Sequence, residues 1–233
     1  ENEYELGLLC LAQCEHQGSR YPLVLMHGMA GTGAWLNVLE YWWEVPEHLE
    51  KHGFSVHAWA VDPFQSPEVR AEQWRAHLDA LKASGEARRF HLYGHSQGGL
   101  DARWLTTHLD PESEVQSVTT MATPHQGSLT VDGIYGWFDL SLFGDEMIEA
   151  LASLYADWVG ASTDQEVMEQ LESMTTVGAA TFNLKTPDQP GVHYASWAGV
   201  TCGILDVFCR AEHDGEVVFA GLSVSHFMIS VLE

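Results

Sequence analysis

Basic residues are scarce in this chain. Ten lysines and arginines stand against 33 aspartates and glutamates, giving a formal net charge of -23. So acidic a surface repels phosphodiester backbones and anionic headgroups, which argues against a nucleic-acid partner and against docking on anionic membranes. A neutral lipid surface remains compatible, and the plainer meaning of the acidity is solubility or a salty habitat. Long apolar runs are missing too, so no transmembrane span is expected. The stretch Leu6 to Ala12 has the composition of a signal-peptide core. It is short, however, and sits behind Glu1, Glu3 and Glu5, where a signal carries positive charge. The chain is therefore read as already processed or as lacking a signal.

Cysteines number four, as the close pairs Cys10/Cys14 and Cys202/Cys209. Pairing within each set would suit a secreted protein; four reduced, buried thiols are the alternative, and four cysteines allow three connectivities. No C-x-x-C spacing is present, so no metal site is expected.

What is present is a globular composition, 45% hydrophobic and 18% charged over 233 residues. That length suits one domain with a sizeable core. Strand-like and helix-like segments alternate. Leu23 to Met26 reads as a buried strand, Pro46 to His52 as a short helix, and Val56 to Val61 as the next strand. From Pro67 to Ser84 the apolar positions Ala71, Trp74, Leu78 and Leu81 form a helical stripe. Strands follow at Phe90 to Tyr93 and Val115 to Met121, with a helix from about Gly99 to His108 between them. His193 to Ala198 and Glu216 to Phe219 are late strand candidates. Such alternation predicts an α/β fold with a mostly parallel sheet and helices on both faces. Residues from about 129 to 171 break the rhythm. They are aromatic, with an amphipathic stripe at Ile148, Leu151, Leu154, Tyr155 and Trp158, and suit either a mobile lid or a fixed helical cap.

The chemistry is written in Gly94-His95-Ser96-Gln97-Gly98. It lies directly after a strand and before a helix, the context of a nucleophile elbow. A serine on so tight a turn is strained, and residues with a Cβ on either side would collide with the adjoining strand and helix. A serine hydroxyl needs a base, a carboxylate to orient that base, and N–H donors for the oxyanion. One donor is expected from the backbone of Gln97. The other is expected from Met29, in the His27-Gly28-Met29-Ala30-Gly31 loop that follows the first strand. His27, His95 and His125 are expected to line the substrate site. The order serine, acid, histidine makes Asp214 the candidate acid, ahead of Asp206, because it leads into the strand-like Glu216 to Phe219. His226 is the only histidine after it and the candidate base.

Several segments resemble bacterial true lipases of the Pseudomonas and Burkholderia type. Tyr21 to Gly28 is similar to that family's opening strand and oxyanion loop, and Gly94 to Gly99 to its elbow. Met121 to Ser128 resembles the segment before its lid. Ala179 to Asn183 and Tyr194 to Gly199 resemble later landmarks, and Asp214-Gly215 the turn of its acid. The resemblance runs from about Tyr21 to Val218 and implies an α/β-hydrolase fold; with the length, a single such domain over residues 1–233 is expected, with the lid or cap at about 129–171. It also implies cleavage of long-chain acylglycerols at a lipid–water interface, secretion (extracellular or periplasmic), and a possible folding chaperone. The chain departs from the family after His226. Phe227-Met228-Ile229 offers no carboxylate where the family binds a structural calcium, and the step from Asp214 to His226 is short. No calcium and no cofactor are expected. The rival readings are a short-chain esterase, phospholipase or acyltransferase on the same machinery, or a binding protein on a hydrolase scaffold.

Overall fold

The computed structural model describes residues 18–31, 41–139, 149–150, 153 and 166–198. Among them, five strands form one parallel sheet. These are β1 (Leu23–Met26), β2 (Val56–His57), β3 (Phe90–His95), β4 (Val115–Met121) and β5 (His193–Trp197), in the order β2-β1-β3-β4-β5. Six helices accompany it: α1 (Val45–Lys51), α2 (Pro67–Ser84), α3 (Gln97–His108), α4 (Leu129–Asp139), α5 (Val167–Met174) and α6 (Thr176–Lys185). The expected α/β-hydrolase architecture is therefore the one observed.

Local chemistry explains the element ends. Pro67 at the first turn of α2 sacrifices an N–H that has no helical partner, and the Ser66 hydroxyl accepts from Val69 N. Gly85 closes the helix in the left-handed region at φ 81°. The expected stripe of Ala71, Trp74, Leu78 and Leu81 is buried, and it packs with Val24, Met26, Phe90 and Leu92 of the sheet. A second apolar cluster gathers Leu100 of α3 with Val131, Val167, Leu171, Met174 and Phe182 from α4, α5 and α6.

Two expectations shift and one helix is added. The strand expected over Val56 to Val61 shrinks to two residues, and one reason is visible: the Val61 N–H donates to His27 Nε2 at 3.0 Å instead of joining a ladder. Helix α3 starts at Gln97, two residues early, because it springs directly from the elbow. Helix α6, at Thr176–Lys185, is the addition, and its N-terminus is capped by the Thr175 hydroxyl, which accepts from Gly178 N at 2.9 Å. The expected amphipathic stripe from Ile148 to Trp158 and the strand at Glu216 to Phe219 lie outside the described residues. No helix among the described residues is long and apolar enough to cross a membrane.

Candidate active site

The sheet order reverses direction between β1 and β3, since β2 lies to one side and β4 and β5 to the other. In open α/β sheets the crevice beyond the carboxyl ends of the strands at such a point is where ligands bind. The two candidate loops leave from there: His27-Gly28 follows β1, and Ser96 follows β3.

Ser96 has φ 54° and ψ -127°, a conformation side chains rarely adopt. Its N–H donates to Met121 O at 2.9 Å, and its carbonyl accepts from Gly99 N–H at 3.1 Å and from the Thr123 hydroxyl at 2.8 Å. The strained turn is thus held from three sides. The neighbouring glycines are required by space. A Cβ on Gly98 would lie 2.2 Å from Met26 O, and one on Gly94 2.4 Å from Gly98 O. The hydroxyl of Ser96 does not cap its own helix, and no described residue hydrogen-bonds it.

The β1 loop closes directly onto this serine. A Cβ placed on Gly28 would lie 2.8 Å from Ser96 Cβ and 2.9 Å from the Tyr41 hydroxyl. The turn continues through Ala30, at φ 56°, whose N–H donates to Pro63 O at 3.0 Å. Among the described residues the N–H groups of Met29 and of Gln97 have no hydrogen-bond partner, and the Met29 side chain packs against the second apolar cluster. Gln97 is fully buried. Its amide donates to Gln65 O at 2.7 Å and its Oε1 accepts from Gln170 of α5.

The three expected lining histidines each bond protein groups other than Ser96. His27 is 1% exposed and uses both ring nitrogens on the protein, which suits support of the loop rather than lining of a site. His95 Nδ1 meets the Tyr41 hydroxyl, and burial lowers its pKa. His125 accepts from Arg103 Nη1 at 3.3 Å and presents Nε2 to the Thr120 hydroxyl at 2.8 Å. It lines a cavity of about 460 Å³ together with Arg103, Asn183 and Tyr194. None of the three bonds Ser96, so the described residues offer no base to it. Asp214 and His226 lie outside the described residues, as do Asp206 and the four cysteines.

The palmitoyl protein thioesterase family matches residues 22–173. The chain belongs to that family. Its curated relatives include triacylglycerol lipases, as the lipase likeness of its segments implied. The one from Pseudarthrobacter phenanthrenivorans is 35% identical over 179 residues, covering 74% of this chain and 56% of that protein. The one from Burkholderia plantarii is 35% identical over 179 residues, covering 74% and 49%. The chain thus spans about half the length of the curated relatives it matches. Among solved structures, mature Bacillus licheniformis lipase BlEst2 aligns with a TM-score of 0.57 at 22% identity, covering 80% of this chain and 69% of that one. That likeness is one of fold.

In this family member a buried ion pair lies behind the elbow. Arg70 of α2 and Asp101 of α3 are both 0% exposed and paired at 2.8 Å. Arg70 also donates to Asp62 O at 2.8 Å and to the carbonyl of His27, and Trp74 Nε1 donates to Asp101 at 3.2 Å. The pair therefore braces the elbow helix against the β1 loop. Sequence reading missed it because its members are 31 residues apart on separate helices and match no motif.

Acid sensitivity follows from the buried imidazoles. Burial, then the Arg70 charge, lowers His27 to about 3, and burial, then Arg103, lowers His125 to about 4. In the unfolded chain both would protonate near pH 6.5. Between there and the lowered values the unfolded state binds protons that the native state refuses, so stability falls as pH falls. His27 alone contributes a slope of about 1.4 kcal/mol per pH unit. Asp101 opposes this. Burial pushes it up to about 6 against the pull of Arg70, so between about pH 6 and its ordinary value the native state holds the extra proton. The expected outcome is a thermal midpoint that declines from pH 6.5 to 4, with a shallower decline in His125→Asn, read by circular dichroism melts across that range.

Proposed function

We propose that this chain is the α/β-hydrolase domain of a serine carboxylic-ester hydrolase that acts as a lipase on acylglycerols, with the segment at about 129–171 as its lid or cap. Ser96 Oγ attacks the ester carbonyl. His226 takes the hydroxyl proton and passes it to the departing alcohol, while Asp214 fixes the imidazole tautomer. The N–H groups of Met29 and Gln97 bind the tetrahedral oxyanion, and water releases the acyl group with His226 again as base. The observation that carries the reading is the approach of the Gly28 loop to within a Cβ contact of a positive-φ serine at the sheet's switch point. The triacylglycerol lipases among the relatives support the substrate class. A neutral lipid–water interface, secretion and a folding chaperone belong to the reading through the same likeness. The chemistry calls on no cofactor or metal.

The family match favours a second reading, an S-acyl thioester as substrate, because the same acyl-enzyme would form with a thiol as leaving group. A substrate series separates the two. Each methylene buried in an acyl pocket adds about 0.8 kcal/mol, so with all six added methylenes buried kcat/KM for p-nitrophenyl esters should rise by about 10³-fold from acetate to octanoate. Trioctanoylglycerol should be cleaved as well. Preference for acetate would make the chain a short-chain esterase. Cleavage of a palmitoyl thioester with no oxygen ester turned over would establish the second reading.

A further inference from the structure

The oxyanion loop is held in one orientation by buried side chains that have no role in the chemistry above. In a trans peptide the C=O and N–H point in opposite directions. The peptide joining Gly28 to Met29 carries the Gly28 carbonyl at one end and the Met29 N–H at the other. Its carbonyl accepts from His27 Nδ1 at 2.9 Å and from Gly31 N–H at 3.2 Å, and faces Arg70 Nη1 at 3.5 Å. The preceding peptide is pinned at both ends, since Arg70 Nη2 donates to the His27 carbonyl and Gly28 N–H donates to the Tyr41 hydroxyl at 2.9 Å.

The donors are themselves fixed. Val61 N–H donates to His27 Nε2, so that nitrogen is bare and the proton resides on Nδ1, facing the Gly28 carbonyl. Gly31 lies against the same ring, where a Cβ would come within 2.3 Å of Nδ1. Arg70 is anchored by Asp101 and by the Asp62 carbonyl. Every polar group of the two peptides is engaged inward except the Met29 N–H, which alone has no partner among the described residues.

The geometry points to His27 and Arg70 as positioning residues of the oxyanion hole: by holding the Gly28 carbonyl inward, they aim the Met29 N–H at the developing oxyanion. This rests on the reading of Met29 as an oxyanion donor. A peptide released from the clamp can rotate and present a carbonyl oxygen where a donor is needed. Because the groups act only on charge formed in the transition state, their loss lowers kcat and leaves KM little changed.

The test uses the full chain with a soluble p-nitrophenyl ester and a trifluoromethyl ketone. Ser96 adds to that ketone, and the resulting hemiketal oxyanion occupies the hole. His27→Phe removes the Nδ1 donor and His27→Asn keeps an N–H near its position. Loss of one oxyanion donor costs about 10²- to 10³-fold in kcat. The expected result for His27→Phe is a fall of that order with KM changed by less than about threefold, a matching loss of ketone affinity, and recovery of at least about tenfold in His27→Asn. If His27→Phe does not fold, Arg70→Lys serves in its place, since an ammonium cannot reach both carbonyls and Asp101 together. A folded variant with kcat near wild type, or a kcat loss with ketone affinity intact, overturns the clamp. Wild-type protein that neither cleaves the ester nor reacts with a fluorophosphonate overturns the hydrolase reading and takes the clamp with it.

Discussion

Ser96→Ala should lower ester hydrolysis by about 10⁴- to 10⁶-fold, leaving only what binding and the oxyanion donors supply without a nucleophile. The fold should survive the change. The bonds that hold the elbow, from Ser96 N–H to Met121 O and from Thr123 and Gly99 to the Ser96 carbonyl, all involve backbone atoms of residue 96 that alanine keeps. The positive φ is no worse for alanine than for serine. Initial rates on p-nitrophenyl octanoate, paired with a thermal melt, check both halves. Turnover at the wild-type rate in a protein with unchanged melting temperature contradicts the assignment of Ser96. A broad collapse of the melt would instead show that the hydroxyl has a structural role.

Asp101→Ala should destabilise the domain by about 3–5 kcal/mol, the range for breaking a buried ion pair by removing one partner. Alanine leaves the Arg70 guanidinium at 0% exposure with no counter-charge bonded to it, and it strips the Trp74 indole of its acceptor. The damage should be asymmetric. Replacing both partners, as Arg70→Met with Asp101→Leu, should recover much of the stability, because isosteric apolar pairs need no desolvation. Asp101 Oδ1 already lacks a partner in the native arrangement, so part of the native desolvation is uncompensated and the apolar pair removes that deficit as well. Urea midpoints read the comparison. With m of about 2 kcal/mol/M, the single change moves the midpoint by roughly 1.5–2.5 M. Equal losses in the single and double variants would show that the pair's worth is packing rather than charge. The double variant should nevertheless be slow in catalysis, since it also releases the His27 carbonyl from Arg70.

What the sequence made legible was local. The elbow is five consecutive residues whose glycines answer to contacts with Met26 and Gly98, and the strand and helix beside it are written in adjacent residues. The His27-Gly28 loop is readable for the same reason. The α2 stripe was readable because its period is fixed by helix geometry and its burial by the sheet it covers. What was not legible depends on distant partners. His27 looks like a site histidine beside Gly28, and only Val61, Arg70 and Trp74 packed around it show why its ring is inside. Gln97 looks like any residue after a nucleophile, yet its side chain is clamped by Gln65 and by Gln170, which is 73 residues away. One reason strand β2 stops short of Val61 is that a side chain from another strand's end takes the Val61 N–H, a competition that no propensity scale records.

The most direct measurement is covalent labelling. The full chain is treated with a fluorophosphonate, digested, and mapped by mass spectrometry. An activated serine displaces fluoride and keeps the phosphonyl group, whereas a serine without a working base does not react at a useful rate. One phosphonyl group per chain is expected, on the peptide that contains Ser96, with ester hydrolysis lost in step with labelling. No adduct on a folded chain, or an adduct on a residue other than Ser96, would contradict the assignment of Ser96 as nucleophile.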